Sequence, residues 1–220
     1  MLNRLKRVLF TAIFIMSGPV LAESAKDTAL VTTLNGEASY SAPHGKPATI
    51  QSFMKLREGD KAEVKAGAKL QMVYLENGEV ELWSGPAAFT VGTLKTDSIQ
   101  LGTPVTRKLP AAMLDRIART TEVMSDIRNR TGMVVVRGIG GNSEEMKAIK
   151  AELVAVKEVY EDLRKNLPED DITPELALFN ALYRAKSYNS ALAVLETMRQ
   201  KAPNDPQVAA LAEEFKSKLH

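Results

Sequence analysis

The sequence predicts an α+β fold with segregated parts: a small all-β sandwich or roll at the N-terminal end, followed by an α-helical domain. Three observations predict it. From residue 28 to about 105 the apolar residues fall in short runs bounded by Gly, Pro and Asn, as in strands. Within that region Asn77-Gly78 is the strongest short signal of a β-hairpin. Beyond residue 142 the apolar spacing changes to three and four, the period of a helix.

Residues 1–22 read as a secretory signal peptide. Arg4, Lys6 and Arg7 form a basic start, Val8 to Met16 is apolar apart from Thr11, and Gly18 and Pro19 break the run. Val20-Leu21-Ala22 then offers a cleavage site before Glu23. The apolar run is shorter than the ~20 residues that span a bilayer, so the expectation is cleavage and no stable membrane span afterwards. The sequence has no Cys, which rules out a lipid anchor at the cleavage site and any disulfide. Without the three basic residues of this segment, 26 basic residues face 27 acidic ones, a net of −1. That balance gives no support to a nucleic-acid partner.

Residues 23–107 form the predicted β domain. Its runs are TALVTTLNGEASYS, DKAEVKAG, AKLQMVYL, GEVELW, AAFTVG and DSIQLG. A two-residue turn at Asn77-Gly78 pairs Glu76 with Glu79, Leu75 with Val80, Tyr74 with Glu81, Val73 with Leu82 and Met72 with Trp83. Opposed residues share a face, so Val73, Leu75, Val80 and Leu82 form the core side. Leu70, Met72, Tyr74 and Trp83 collect on the other side, with Glu81 beside them. A face that meets only water does not gather Met, Tyr and Trp. The expectation is an internal cover, supplied by the helix at 110–130. The alternative is a candidate interaction surface made of Leu70, Met72, Tyr74, Glu81 and Trp83, with the Trp as an aromatic anchor.

Residues 108–141 hold a helix and a Gly-rich connector. Pro110 suits a first helical turn, and Leu114, Ile117, Thr121 and Met124 recur at helical spacing. Val134-Val135-Val136 reads as a short strand before RGIGGN, a linker without the Lys-Ser/Thr of a phosphate loop. Residues 142–220 are the helical domain, its first helix capped by Asn142 or Ser143. Met146, Ile149, Leu153, Val156, Tyr160, Leu163 and Leu167 then form a heptad stripe, expected to pack on the helix at 110–130. Three shorter helices follow.

Two resemblances add to this reading. The stretch from about Ala29 to Val91 resembles the FecR-like periplasmic domain of bacterial sensors. It has an opening strand ending in Gly (LVTTLNGEASY), Leu56-Arg57-Glu58-Gly59-Asp60, Ala66-Gly67-Ala68, Glu76-Asn77-Gly78 and the entry SGPAAFTV. This implies an all-β module on the outer side of the inner membrane. The sigma-factor-holding segment and membrane helix of the name-giving regulators have no counterpart, so an anti-sigma role is not implied. The stretch from residue 174 to about 219 resembles a degenerate tetratricopeptide-type helical hairpin, with Leu178, Tyr188, Ala191, Leu195 and Pro203 at the usual spacing. Phe179 and Lys186 replace its small or Gly positions.

Residues suited to catalysis are scarce. His44 and His220 are the only histidines, and neither stands on an element that would orient it. With no Cys and only those two histidines, a zinc or thiol site is not expected. Glu169-Asp170-Asp171 lacks the spacing of a calcium loop and reads as helix-start chemistry, with Asp171 or Thr173 capping. The expectation is a periplasmic, non-catalytic adaptor or sensor module without cofactor or metal, whose partner is a protein or an envelope polymer. The alternatives are a carbohydrate- or peptidoglycan-binding protein stacking sugars on Trp83 and Tyr74, and an envelope enzyme of unrecognised class. Mass spectrometry of the native protein is expected to find Glu23 at the N-terminus; a retained Met1 contradicts export with cleavage.

Overall fold

The structure, a computed structural model, describes residues 26–131 and 144–219. The expectations placed on residues 1–22, on Val134–Val136, on the RGIGGN linker and on a cap at Asn142 or Ser143 lie outside them. Ten strands come first: β1 (Asp27–Asn35), β2 (Ala38–Ser41), β3 (Ala48–Thr49), β4 (Lys55–Arg57), β5 (Lys61–Val64), β6 (Lys69–Tyr74), β7 (Glu79–Ser84), β8 (Ala87–Thr90), β9 (Ser98–Leu101) and β10 (Val105–Lys108). Six helices follow: α1 (Ala111–Ala118), α2 (Thr120–Asn129), α3 (Glu144–Asn166), α4 (Thr173–Arg184), α5 (Tyr188–Lys201) and α6 (Pro206–Ser217). The fold is α+β with the β part first, as predicted.

The strands make two antiparallel five-stranded sheets, β10-β7-β6-β1-β4 and β3-β2-β5-β8-β9. Between them lies one apolar core with Val31, Ile50, Leu56, Leu70, Met72, Tyr74, Trp83 and Phe89. The first sheet also buries its outer face. Leu30, Val73 and Val80 join the helices in a second core, with Met113, Ile117, Leu176, Phe179 and Phe215. A bulge at Thr32 reconciles the two demands on β1: the register slips between Val31 and Thr33, so Val31 and Leu34 both reach the sandwich core.

The β6–β7 hairpin departs from the two-residue turn. Leu70 faces Trp83, Met72 faces Glu81 and Val73 faces Val80, so the strands are joined by the four residues Leu75–Gly78. The reason lies in the turn. Gly78 alone takes positive φ there, at 72°, whereas a type I′ turn needs it at both central residues. Asn77 instead accepts the Glu79 N–H with its own Oδ1 at 2.9 Å, and Leu75 gives its N–H to the Thr28 carbonyl. The slip moves each partner by two residues. Because the side-chain period is also two, every residue keeps its predicted face.

The predicted covers are exchanged. The Trp83 face is covered by the other sheet, and Trp83 stacks on Phe89 with ring centroids 4.0 Å apart and planes 14° from parallel. The helices lie instead on the Val73 and Val80 face. Gly85 marks how tightly the sheets join: a Cβ there would stand 1.8 Å from the Lys65 carbonyl oxygen.

The helix predicted at 110–130 is α1 and α2 with a break at Arg119, whose φ and ψ are −90° and 0°. Asn180 of α4 explains it. Its Nδ2 donates to the Arg116 carbonyl at 3.0 Å and to Thr120 Oγ1 at 2.8 Å, and the Arg119 N–H closes onto the same Arg116 carbonyl at 3.2 Å, three residues back. The α3 stripe packs first on α4 and secondarily on α1, a correction to the expected pairing with the whole 110–130 segment. Val156 is the most buried of its described members. α4 and α5 pack side by side across a turn where Lys186 holds φ at 56°, the conformation that favours Gly.

Trp83 is fully buried and is the only Trp of the sequence. Its fluorescence is therefore expected to be blue-shifted and poorly quenched by acrylamide. Phe89→Ala is expected to cost roughly 3–5 kcal/mol of stability in denaturant titration and to shift that emission to the red.

Candidate functional site

The five residues of the predicted interaction surface come together, but in the interior. Leu70, Met72, Tyr74 and Trp83 are completely buried and Glu81 is 2% exposed, so they form no surface. The contact signal was real and its cover is the second sheet. Glu81 is held by three donors: Trp83 Nε1 at 3.0 Å, the Thr96 N–H at 2.9 Å and Thr96 Oγ1 at 2.6 Å. A buried carboxylate with its oxygens occupied in this way is structural. Tyr74 lies beside Thr96, their hydroxyls 3.4 Å apart, and burial pushes its phenol well above the ordinary range.

A different place has the geometry of a site. At one end of the first sheet, between its outer face and the turns that join the helices, lies a cleft of about 300 Å³. Leu34, Leu82 and Val105 line it from the sheet, and Leu167, Pro168 and Pro203 line it from the α3–α4 and α5–α6 turns. Lys69, Gln71, Arg107, Asp171, Lys201 and Asp205 supply its polar groups. Apolar walls with a few convergent polar groups, where two structural units meet, are the general form of a ligand site.

Hydrogen bonds fix that cleft. Gln71 Nε2 lies among three acceptors, Thr173 Oγ1 at 2.6 Å and Thr32 Oγ1 and Asp171 Oδ1 each at 3.1 Å, which share its two hydrogens. Asp171 Oδ1 also takes the Thr173 N–H at 2.9 Å, and its Oδ2 pairs with Arg107 Nη2 at 2.5 Å. The N-cap of α4 falls on Ile172 rather than on Asp171 or Thr173 and makes no side-chain cap bond; Asp171 instead takes the first N–H of the helix and joins the helices to the sheet. Asp205 caps α6 by accepting from the Gln207 and Val208 N–H groups, while its Oδ2 accepts from Ser52 Oγ. Ser52 Oγ in turn accepts the Leu34 N–H at 2.9 Å. Arg107 Nη1 is buried without a partner.

Behind the cleft Lys201 reaches toward Glu175, its Nζ 3.9 Å from Oε1, with Arg164 Nη1 at 3.6 Å and the Tyr160 hydroxyl at 3.3 Å. Burial raises the Glu175 carboxyl above its ordinary range, and Arg164 and Lys201 only partly oppose that. The same carboxylate, after burial itself, helps to raise Tyr160. His44 is exposed in a loop. Among the described residues no group of three or more His, Cys, Asp or Glu is placed to hold a metal.

The cleft is absent from the sequence reading because six separated segments build it. One signal pointed there: Asp171 was singled out for its chemistry at the start of α4. Comparison with known proteins returns no match, whether family models, curated proteins or solved structures are searched. Asp171→Ala strands Arg107 and Gln71 together. It is expected to cost roughly 3 kcal/mol in denaturant unfolding, with Asp171→Asn losing less because an amide oxygen still accepts.

Proposed function

We infer that the chain is an exported, non-catalytic adaptor or sensor module that holds a protein or envelope-polymer partner in the cleft between its β-sandwich and its helices. One observation carries this reading: the cleft combines apolar walls with convergent polar groups, of which Lys69 has no ion-pair partner among the described residues, while its two buried carboxylates are already bonded. Asp171 and Asp205 hold the framework, which favours a binding role over acid–base work. The resemblance of residues 29–91 to FecR-like domains and of 174–219 to a tetratricopeptide-type hairpin supports the same class of function and the periplasmic location. No helix among the described residues is long and apolar enough to cross a membrane. Nothing favours sugar stacking on Trp83 and Tyr74, since both rings are buried.

The test places a photo-crosslinking amino acid at Val105, which lines the cleft and is 69% exposed, and illuminates the chain in envelope extracts. A discrete adduct is expected; an excess of the unlabelled native chain should suppress it, and an equal excess of Val105→Arg should not. Adducts equally abundant from a position on the far sheet, such as Glu63, overturn the cleft as the binding site.

A further inference from the structure

The cleft opens toward β10, the edge strand of the first sheet. The hydrogen-bond phase of that strand is fixed. Leu109 gives its N–H to the Gly78 carbonyl at 2.8 Å, and Arg107 faces Val80 and Val105 faces Leu82 in the same phase. In an antiparallel pair alternate residues bond inward. Thr106 and Lys108 therefore direct their N–H and C=O groups away from β7, along an edge that nothing pairs with among the described residues. Both residues are exposed.

We propose that β10 takes up an extended peptide segment of a partner protein as an added strand, with an apolar side chain of that peptide entering the cleft beside Val105. The proposal rests on the cleft reading above and names its occupant. Two features select a peptide. An open strand edge offers alternating donors and acceptors at the spacing that another strand presents. The side chains of Val105 and Arg107 lie on the cleft side of β10, so a strand added next to Thr106 places alternate residues over the same hollow. Charge sets the second requirement. Lys69 lines the cleft with no ion-pair partner among the described residues, and Arg107, whose Nη2 pairs with Asp171, keeps its Nη1 buried and unpartnered. Asp170 is the one cleft carboxylate outside the structural hydrogen bonds described above. The fitting peptide therefore carries a carboxylate next to its apolar residue, from Asp, Glu or a chain terminus.

A display library of random octapeptides selected on the purified chain tests this, with affinities of the synthetic binders measured by fluorescence anisotropy. Thr106→Pro removes an N–H that the fold does not use, and Trp83 emission reports whether the variant stays folded. The expected result is acidic-apolar binders that weaken at least tenfold against Thr106→Pro, against Val105→Arg, and when alternate peptide nitrogens are methylated. Binders that Val105→Arg blocks but that tolerate both Thr106→Pro and N-methylation overturn strand addition and leave the cleft reading standing. Binders indifferent to Val105→Arg, or a library without binders, also overturn the proposal. In that case a Val105 adduct with an envelope polymer would still support the cleft.

Discussion

One sheet with two buried faces organises this protein. β1, β6 and β7 put Val31, Leu70, Met72 and Trp83 on one side and Leu30, Val73 and Val80 on the other. Burial of apolar area is worth ~25 cal/mol per Å², so neither face is stable in water by itself. The second sheet answers the first demand and α1, α4 and α6 answer the second. The bulge at Thr32, the slip of the β6–β7 register and the break at Arg119 are the local adjustments through which these layers meet.

Where two apolar layers leave a polar seam, the seam is closed by bonded groups. Gln71, Thr32, Asp171, Thr173 and Arg107 form a chain of donors and acceptors between sheet and helices. Glu81, Trp83 and Thr96 do the same inside the sandwich. Buried polar groups are stable only when satisfied, and in both places one carboxylate gathers several donors. Such a network also fixes position, because each partner is set by direction as well as distance.

The fold class was legible because alternation and heptad spacing are local. The faces of the hairpin survived a wrong turn because a slip of two keeps parity, whereas the partners of Met72 and Trp83 did not. What covers the Trp83 face was misread, since the second sheet is assembled from short runs whose pairing no periodicity encodes. β10 passed unread between Pro104 and Pro110, where Val105-Thr106-Arg107-Lys108 is too short to show alternation. The cleft was invisible for a related reason: Leu34, Gln71, Arg107, Asp171 and Asp205 meet only after every layer has formed.

The doubly buried sheet also suggests an order of assembly. The ten described strands all precede Ala111 in the chain, so the sandwich has its strands before the helices dock. Until then Leu30, Val73 and Val80 face solvent as a continuous apolar strip. Ser52 must meanwhile wait for Asp205, 153 residues later in the chain. A contact so distant in sequence carries a large loop-closure cost, and until it forms the uncovered strip is the part of the chain most open to aggregation.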